Sequence, residues 1–357
     1  MIHRFRRLPL LLALVAGPVL AEETPPADTT AEPPAAQSDA AQPDGTQSEA
    51  PPPEPVPLTP DAVNAATFDG QPLPEGRSPI VLKVQVLLDR AGLSPGVIDG
   101  VMGDNVAKAI TAAEFIAGLP QDGKLDEAVW AALAPIDQQP VLGVYTITAE
   151  DLSVPIIPDL PTDYGALAKM PSSAYRRHSE MFAEKFHMDE DLFIELNPHA
   201  DLATPGAQIV VTAVGAPVEG PPVTYLIADK ARRQLLGYDA QNRLVVSYPA
   251  TIGSAENPSP SGTHVVDAIA PEAAYYYRPD VNFQQGDNTK PLTIPPGPNN
   301  PVGTTWIDLT EPTYGIHGTP EPSLIDKTAS HGCVRLTNWD VQELSGLVEK
   351  GVTVEFR

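Results

Sequence analysis

Ser330-His331-Gly332-Cys333-Val334-Arg335 holds the one cysteine of a 357-residue chain. A single thiol closes no internal disulfide, so Cys333 is an inert buried side chain, half of an intermolecular bridge, or a reagent. Sixteen residues upstream, Gly315-Ile316-His317-Gly318-Thr319 carries a candidate base, His317. Pro320 and Pro322 lie between the two and forbid a continuous helix. The chain must loop out and return, which lets a base at one end of the loop approach a thiol at the other. A cysteine nucleophile needs such a partner, because the thiolate attacks and the imidazole sets its population. Gly318 and Gly332 lack a Cβ and admit close backbone approach, and the N–H groups around His331, Gly332 and Cys333 are candidate donors to a tetrahedral oxyanion. Two other readings of the residue types stay open at this level: a small buried hydrophobe, and a zinc site made by His317, His331, Cys333 and His264.

Outward from this stretch the texture is that of strands. Val223 to Ala228 and Arg243 to Ser247 are β-branched or apolar runs, separated by turn residues at Asp229-Lys230-Ala231 and Asp239-Ala240-Gln241-Asn242. Pro258-Ser259-Pro260-Ser261-Gly262-Thr263 forms a stiff loop before another strand, and extended pieces follow at 304–309, 313–317 and 352–356. One helix is well signalled, capped by Thr337 or Asn338, with Val341, Leu344 and Val348 as its buried stripe and Gly351 as its stop. Trp306 and Trp339 read as core aromatics, and Tyr275-Tyr276-Tyr277 as either a groove lining or core.

The first residues carry an export signature. Arg4, Arg6 and Arg7 precede an apolar run from Leu8 to Leu20, and Val19-Leu20-Ala21 offers small residues for cleavage. At about 13 residues that run is short of the ~20 a spanning helix needs, so residues 1–21 are expected to be a cleaved signal and the mature chain to be periplasmic, with no transmembrane segment. From Glu22 to Glu75 there are eleven acids and no Lys or Arg. With its Pro, Ala and Ser content, this stretch (22–77) is expected to be a disordered linker. The formal charge of −24 is therefore concentrated outside residues 222–357, which hold fifteen acids against ten Lys and Arg. The overall charge argues against nucleic acid and anionic membrane surfaces as partners.

Two segments lie between. Ile80, Val84, Leu87 and Leu88 mark one helical stripe, and Val106, Ile110, Ala113 and Ala117 a second; a third short helix ends near Trp130 and Leu133. Val84-Gln85-Val86-Leu87-Leu88, Gly92-Leu93, Ile98-Asp99-Gly100-Val101-Met102-Gly103 and Asp122-Gly123-Lys124-Leu125-Asp126 resemble the peptidoglycan-binding domain 1 family. Met102 stands where that family usually has an aromatic, and Ala113-Glu114 where it has Phe-Gln. Further on, Phe182-Ala183-Glu184-Lys185-Phe186, Leu196-Asn197-Pro198 and Gly206 ahead of Ile209-Val210-Val211-Thr212 resemble a degenerate LysM module whose opening strand is not visible. His178, His187 and His199 fall here and read as surface or capping histidines.

The C-terminal motifs carry the most specific resemblance. Ile294-Pro295-Pro296-Gly297-Pro298-Asn299-Asn300-Pro301-Val302-Gly303, Tyr314-Gly315-Ile316-His317-Gly318-Thr319 and Ser330-His331-Gly332-Cys333-Val334-Arg335-Leu336 resemble, in order, the L,D-transpeptidase (YkuD) catalytic domain of the Gram-negative periplasmic branch. The resemblance implies a multidomain chain: a three-helix module at 78–137, a linker at 138–165, a small α+β LysM-like module at 166–216, and a mostly β catalytic domain, a β-sandwich, at 222–357. It implies Cys333 as nucleophile, His317 as base, the Gly318 carbonyl as its orienter, Gly332 and His331 at the oxyanion site, and Ser330 and Arg335 as substrate-side residues, with no metal and no cofactor. The implied substrates are peptidoglycan stem peptides, with a second stem, an outer-membrane protein lysine or water as acyl acceptor. A wall-binding scaffold without turnover is the reading from another class.

Overall fold

The computed structural model describes residues 57–357 except 219, 255 and 282. The expected signal and most of the acidic linker lie outside these residues. Regular structure nevertheless begins earlier than residue 78. Thr59 caps a short helix, α1 (Pro60–Ala65), with Oγ1 accepting the Ala62 N–H and Pro60 in the first turn. Val63 is fully buried, and Asn64 hooks onto a distant strand, donating to the Leu142 carbonyl and accepting from Val141 and Leu142. Residues 57–77 thus correct the expected linker: one buried valine and one saturated asparagine suffice to fix its end.

Helix α2 (Pro79–Arg90) is capped by Ser78, α3 (Asp104–Ala117) ends on Gly118 in the left-handed region, and α4 (Glu127–Leu133) is capped by Asp126. Glu114, in place of the family's glutamine, is 2% exposed and accepts the Gly123 N–H at 3.0 Å, so its carboxylate closes the Asp122-Gly123 turn.

Strand β1 (Leu142–Thr146) falls inside the stretch expected to be a linker. It pairs antiparallel with β2 (Gln208–Thr212), in register from Leu142 opposite Thr212 to Thr146 opposite Gln208. Between them run α5 (Tyr164–Leu167), α6 (His178–Lys185) and α7 (Glu190–Leu196). The partner of β2 therefore lies upstream of 166–216, with residues 147–177 inserted between β1 and α6. A single apolar core takes Leu82, Leu88 and Ile110 from the helices and Phe182, Phe193 and Val211 from this second unit. Units this small bury too little apolar surface alone, and sharing one core is the solution here.

The C-terminal region comprises β3 (Tyr225–Asp229), β4 (Gln234–Tyr238), β5 (Leu244–Pro249), β6 (Thr251–Ile252), β7 (Gly262–Pro271), β8 (Tyr275–Tyr277), β9 (Leu292–Ile294), β10 (Thr305–Leu309), β11 (Gly315–His317), β12 (Val334–Arg335), α8 (Asn338–Leu347) and β13 (Thr353–Phe356). Nine strands form one hydrogen-bonded sheet, β5-β4-β3-β13-β7-β10-β11-β12-β6, and β8 pairs with β9 as a separate hairpin. The long β7 serves both halves: Gly262 to Val265 pair with β13, and Val266 to Pro271 with β10. One core draws on both halves, with Leu226, Val246, Ile307, Ile316 and Val334 packed around Val341 and Leu344 of α8. Thr337 is the cap of α8, its Oγ1 accepting the Asp340 N–H at 3.1 Å.

The helical unit covers the exposed edge of this sheet. Ser94 donates to the Ser247 carbonyl and Ser247 to the Gly92 carbonyl, both at 2.9 Å, so β5 does not present a free edge. Lys108 of α3 pairs with Asp326 at 2.5 Å, inside the loop between His317 and Cys333, and Arg233 meets the same carboxylate at 3.3 Å.

Candidate active site

Three short strands place the central side chains by register alone. β10 and β11 are antiparallel, with Trp306 opposite His317, Ile307 opposite Ile316 and Asp308 opposite Gly315. β11 and β12 are parallel, with Ile316 beside Val334 and His317 beside Arg335. Side chains alternate along a strand, so Ile307, Ile316 and Val334 go into the core while Trp306, His317 and Arg335 share the opposite face. Carrying the register back one residue sets Cys333 beside Gly315 on that same face. Among the described residues no hydrogen bond joins the thiol to His317. Trp306, expected in the core, is half-buried and stacks on the imidazole with ring centroids 5.4 Å apart and planes at 17°. Gly315 makes this possible: a Cβ there would sit 2.5 Å from the indole.

His317 is 5% exposed, and its Nδ1 lies 2.7 Å from the Gly318 carbonyl. A carbonyl only accepts, so Nδ1 carries the proton and Nε2 the lone pair. Burial pushes the imidazole down to about 3; the nearby Arg335 charge adds to the fall, and the Gly318 bond opposes it. Burial likewise pushes the Cys333 thiol up to about 11, with the Gly315 N–H and Arg335 acting in the other direction and Asp308 raising it further. The resting pair is therefore a neutral thiol and a neutral imidazole. The thiol donates toward the Thr313 carbonyl at 3.8 Å.

The loop bearing the cysteine is held by hydroxyls. Ser330 is 2% exposed; its Oγ donates to the Cys333 carbonyl at 2.7 Å and accepts from the Gly253 and Gly332 amides at 2.6 and 3.3 Å. Ser259, from the stiff loop, donates to the Gly332 carbonyl at 2.7 Å. Gly332 has φ +105°, and a Cβ on it would lie 2.5 Å from the Tyr314 ring, so a larger residue is disfavoured twice. Among the described residues the Cys333 amide makes no hydrogen bond. Arg335 reaches only the Ala329 carbonyl, at 3.4 Å, and meets no carboxylate within ion-pair distance among the described residues.

A second wall is aromatic. Tyr164 of α5 meets Tyr275, Tyr277 and Phe283 edge-on at 6.0, 5.2 and 6.2 Å, and Phe283 stacks on His331 at 3.9 Å and 10°. His331 is exposed, while Tyr277 is fully buried and Tyr276 faces solvent. Burial raises the Tyr275 hydroxyl, and Cys333 is close enough to raise it further. Tyr164 is pushed up to about 12 by burial, with Arg335 pulling the other way. The inserted stretch is stitched to this hairpin: Asn288 donates to Asp163 at 2.8 Å, and the Tyr164 amide to Gln285 at 3.1 Å.

The strands thus bring together Cys333, His317, Gly318 and Arg335, with Ser330, His331 and Gly332 on the adjoining loop. His264 is not among them: it stands on β7 opposite Val354 and faces Glu311 and Phe356, so the four zinc ligands considered from sequence do not converge. Among the described residues no group of three or more His, Cys, Asp or Glu is arranged to hold a metal ion. His187 corrects the surface expectation. It follows α6 with φ +58°, lies 3.1 Å from Asp89 of α2 and stacks on Trp339 of α8 at 5.1 Å. Sequence reading missed Tyr164 and Phe283, whose places depend on an insertion carrying no motif. It also missed Asn338 as more than a helix start.

Residues 223–355 match the YkuD family, described as the L,D-transpeptidase catalytic domain, and residues 77–133 match a family described as a peptidoglycan-binding domain. A Bacillus licheniformis protein that carries the name L,D-transpeptidase YkuD is 30% identical over 177 residues, covering 49% of this chain and 90% of that one. An Escherichia coli protein named L,D-transpeptidase YbiS is 27% identical over 182 residues, covering 50% of this chain and 59% of that one. Among solved structures, an L,D-transpeptidase from Mycobacterium smegmatis aligns with a TM-score of 0.32 at 18% identity, over 39% of this chain and 59% of its own.

Proposed function

The chain belongs to the L,D-transpeptidase family and is an acyltransferase, and from that premise we propose that it acts on peptidoglycan stem tetrapeptides through a thioester on Cys333. The observation that supports the reading is the parallel pairing of β11, which ends on an imidazole whose Nε2 is the basic nitrogen, with β12, which follows directly on Cys333. Because both groups rest neutral, the thiol proton passes to Nε2 as sulfur attacks the carbonyl of the third, diaminopimelate-type residue. The carbonyl π electrons move to oxygen, and the Cys333 N–H, joined by Gly332 once its amide leaves Ser330, stabilises the oxyanion. Collapse expels the terminal D-Ala, which takes the proton from His317. An amine then attacks the thioester and restores the thiol.

Arg335 offers its guanidinium to a substrate carboxylate, since no protein carboxylate among the described residues occupies it. The acceptor is a second stem peptide, giving a 3→3 crosslink, or a lysine of an outer-membrane protein; water would make the enzyme a carboxypeptidase. The helical unit and the β1–α6–α7–β2 unit, which has the strand and helix order of a LysM-like module, hold the enzyme to the wall. The working compartment is the periplasm. Among the described residues no helix is long and apolar enough to cross a membrane.

Purified sacculi incubated with wild type and with Cys333→Ala separate the outcomes by muropeptide analysis. New 3→3 dimers or protein-linked tripeptides, lost in Cys333→Ala, are expected. Tripeptides alone would assign the hydrolase, and sacculus binding without any turnover would assign the scaffold. Intact-protein mass spectrometry with a carbapenem tests the nucleophile directly: one adduct on wild type and none on Cys333→Ala is expected, and an equal adduct on both would remove Cys333 from the role.

A further inference from the structure

We infer that Glu184 and Asn338 are positioning residues for the base: Glu184, supplied from outside the catalytic domain, holds the Asn338 carboxamide, and Asn338 seats the backbone whose carbonyl orients His317. The inference rests on the reading of His317 as base. Asn338 is the first residue of α8 and 1% exposed. All its bonds are made inside the protein. Oδ1 accepts the Thr304 N–H at 3.1 Å, and Nδ2 donates to the Pro298 carbonyl at 3.2 Å and to both Glu184 oxygens at 3.1 Å. Oδ1 also fills a notch between Gly303 and Gly318, so closely that a Cβ on either glycine would overlap it. Gly318 is held on its amide side by the Thr305 carbonyl at 3.3 Å, and its own carbonyl accepts from His317 Nδ1. A displacement of the carboxamide therefore passes to that carbonyl, and through it to the ring.

Glu184 reaches this point from α6, four residues after Glu180 and on the same helical face. The two carboxylates engage two asparagines of the catalytic region: Glu180 accepts from Asn299 at 2.6 Å, and Glu184 from Asn338. Tyr175 donates to Glu184 at 2.9 Å. Burial pushes the Glu184 carboxyl up to about 7; the Asn338 and Tyr175 bonds and His187 oppose the rise, and Glu180 adds to it. Glu184 is half-buried, and its carboxylate is committed to Asn338 and Tyr175 on the side facing the catalytic region. Its place, on a unit that resembles a wall-binding module, couples that unit to the chemistry.

The test is single-turnover acylation of Cys333 by a carbapenem in four full-length proteins: wild type, Glu184→Ala, His317→Ala and the double variant. Glu184→Ala is expected to lower the rate roughly tenfold, as small misplacements of a reacting group do, and Glu184→Gln to recover most of it by keeping an acceptor for Asn338. In the His317→Ala background the same Glu184→Ala change should have less than about a twofold effect. Equal fold losses in both backgrounds, or no loss in wild type, would overturn the inference. If His317→Ala itself leaves acylation unchanged, the base reading fails instead, and the two failures are thereby distinguished. Asn338→Ala carries the same expectations, so it replaces Glu184→Ala should that protein not fold. Nitrogen-15 spectra of the imidazole give a second readout: one Nδ1–H tautomer for His317 in wild type and a mixture in Glu184→Ala, with an unchanged single tautomer counting against the inference.

Discussion

On one side of the site, Trp306, His317 and Arg335 are placed by strand register, each tied to its neighbour by backbone pairing of β10, β11 and β12, and Cys333 directly precedes β12 on a loop held by Ser330 and Ser259. On the other side, Tyr164, Tyr275, Tyr277, Phe283 and His331 come from an insertion, a hairpin and a loop, and meet through ring contacts and a few side-chain hydrogen bonds. The two histidines make the contrast concrete. His317 is buried, hydrogen-bonded in one tautomer and stacked on an indole; His331 is exposed and held by one ring stack. Register fixes geometry to a fraction of an ångström, which proton transfer needs, whereas ring contacts define a shape that a substrate can adjust.

The comparison is tested most severely by exchanging the histidines' fates. His317→Ala should lower sacculus turnover by roughly 10²- to 10⁴-fold, the range for loss of a general base, with an unchanged circular dichroism spectrum. His331→Ala should cost less than about tenfold. Similar losses from both would mean that the sheet wall holds no special chemical role. Gly315→Ala probes the same wall through its packing, at a residue whose N–H faces the thiol. Its Cβ would press on the indole, and overpacking of this kind costs about 1–3 kcal/mol. The midpoint in a denaturant titration should fall accordingly, with a further loss of activity from a displaced Trp306.

Acid separates the walls more gently. His317 is held at about 3 when folded, against an ordinary 6.5. Below 6.5 the unfolded chain takes up a proton that the folded imidazole refuses, so stability drains away as pH falls from 6.5 towards 3. Replacing His317 with Gln should flatten that part of the stability profile, measured by denaturant melts at stepped pH; an identical slope in both proteins would contradict the buried neutral imidazole. Cys333, pushed up to about 11, should be alkylated slowly by iodoacetamide at neutral pH, at a rate that climbs steadily into the alkaline range.

These walls also differ in how far they could be read from sequence. Glycine and histidine alternating with a single apolar residue in Gly315-Ile316-His317, and the Ser330-to-Arg335 motif, identify the sheet wall, because register is a local property of two short strands. The signal for Trp306 was available in the same alternation, one strand away. Tyr164 had no such signal: α5 is four residues long and straddles the boundary between the expected linker and the module after it. Its place follows from contacts with residues more than a hundred positions later, such as Asn288 and Gln285. The shared core of the two N-terminal units was hidden for a related reason, since amphipathic stripes name a buried face without naming what covers it.

Tyr164→Ala is the mildest and most discriminating probe of the aromatic wall. The ring makes three edge-on contacts, each worth about 0.5–1.5 kcal/mol beyond its buried area where fully packed, yet it touches no reacting atom and is only half-buried. Its removal should loosen the β8–β9 hairpin while leaving the register of β10 to β12 intact. A carbapenem, small enough to contact mainly the sheet wall, should acylate Cys333 within about twofold of the wild-type rate. Stem peptides, which extend along the cleft, should show a KM raised several-fold with kcat nearly unchanged, because the lost contact binds ground state and transition state alike. A fall in kcat for both reagents would show that the insertion holds the base and nucleophile in place, and the division between a chemical wall and a shaping wall would then be wrong.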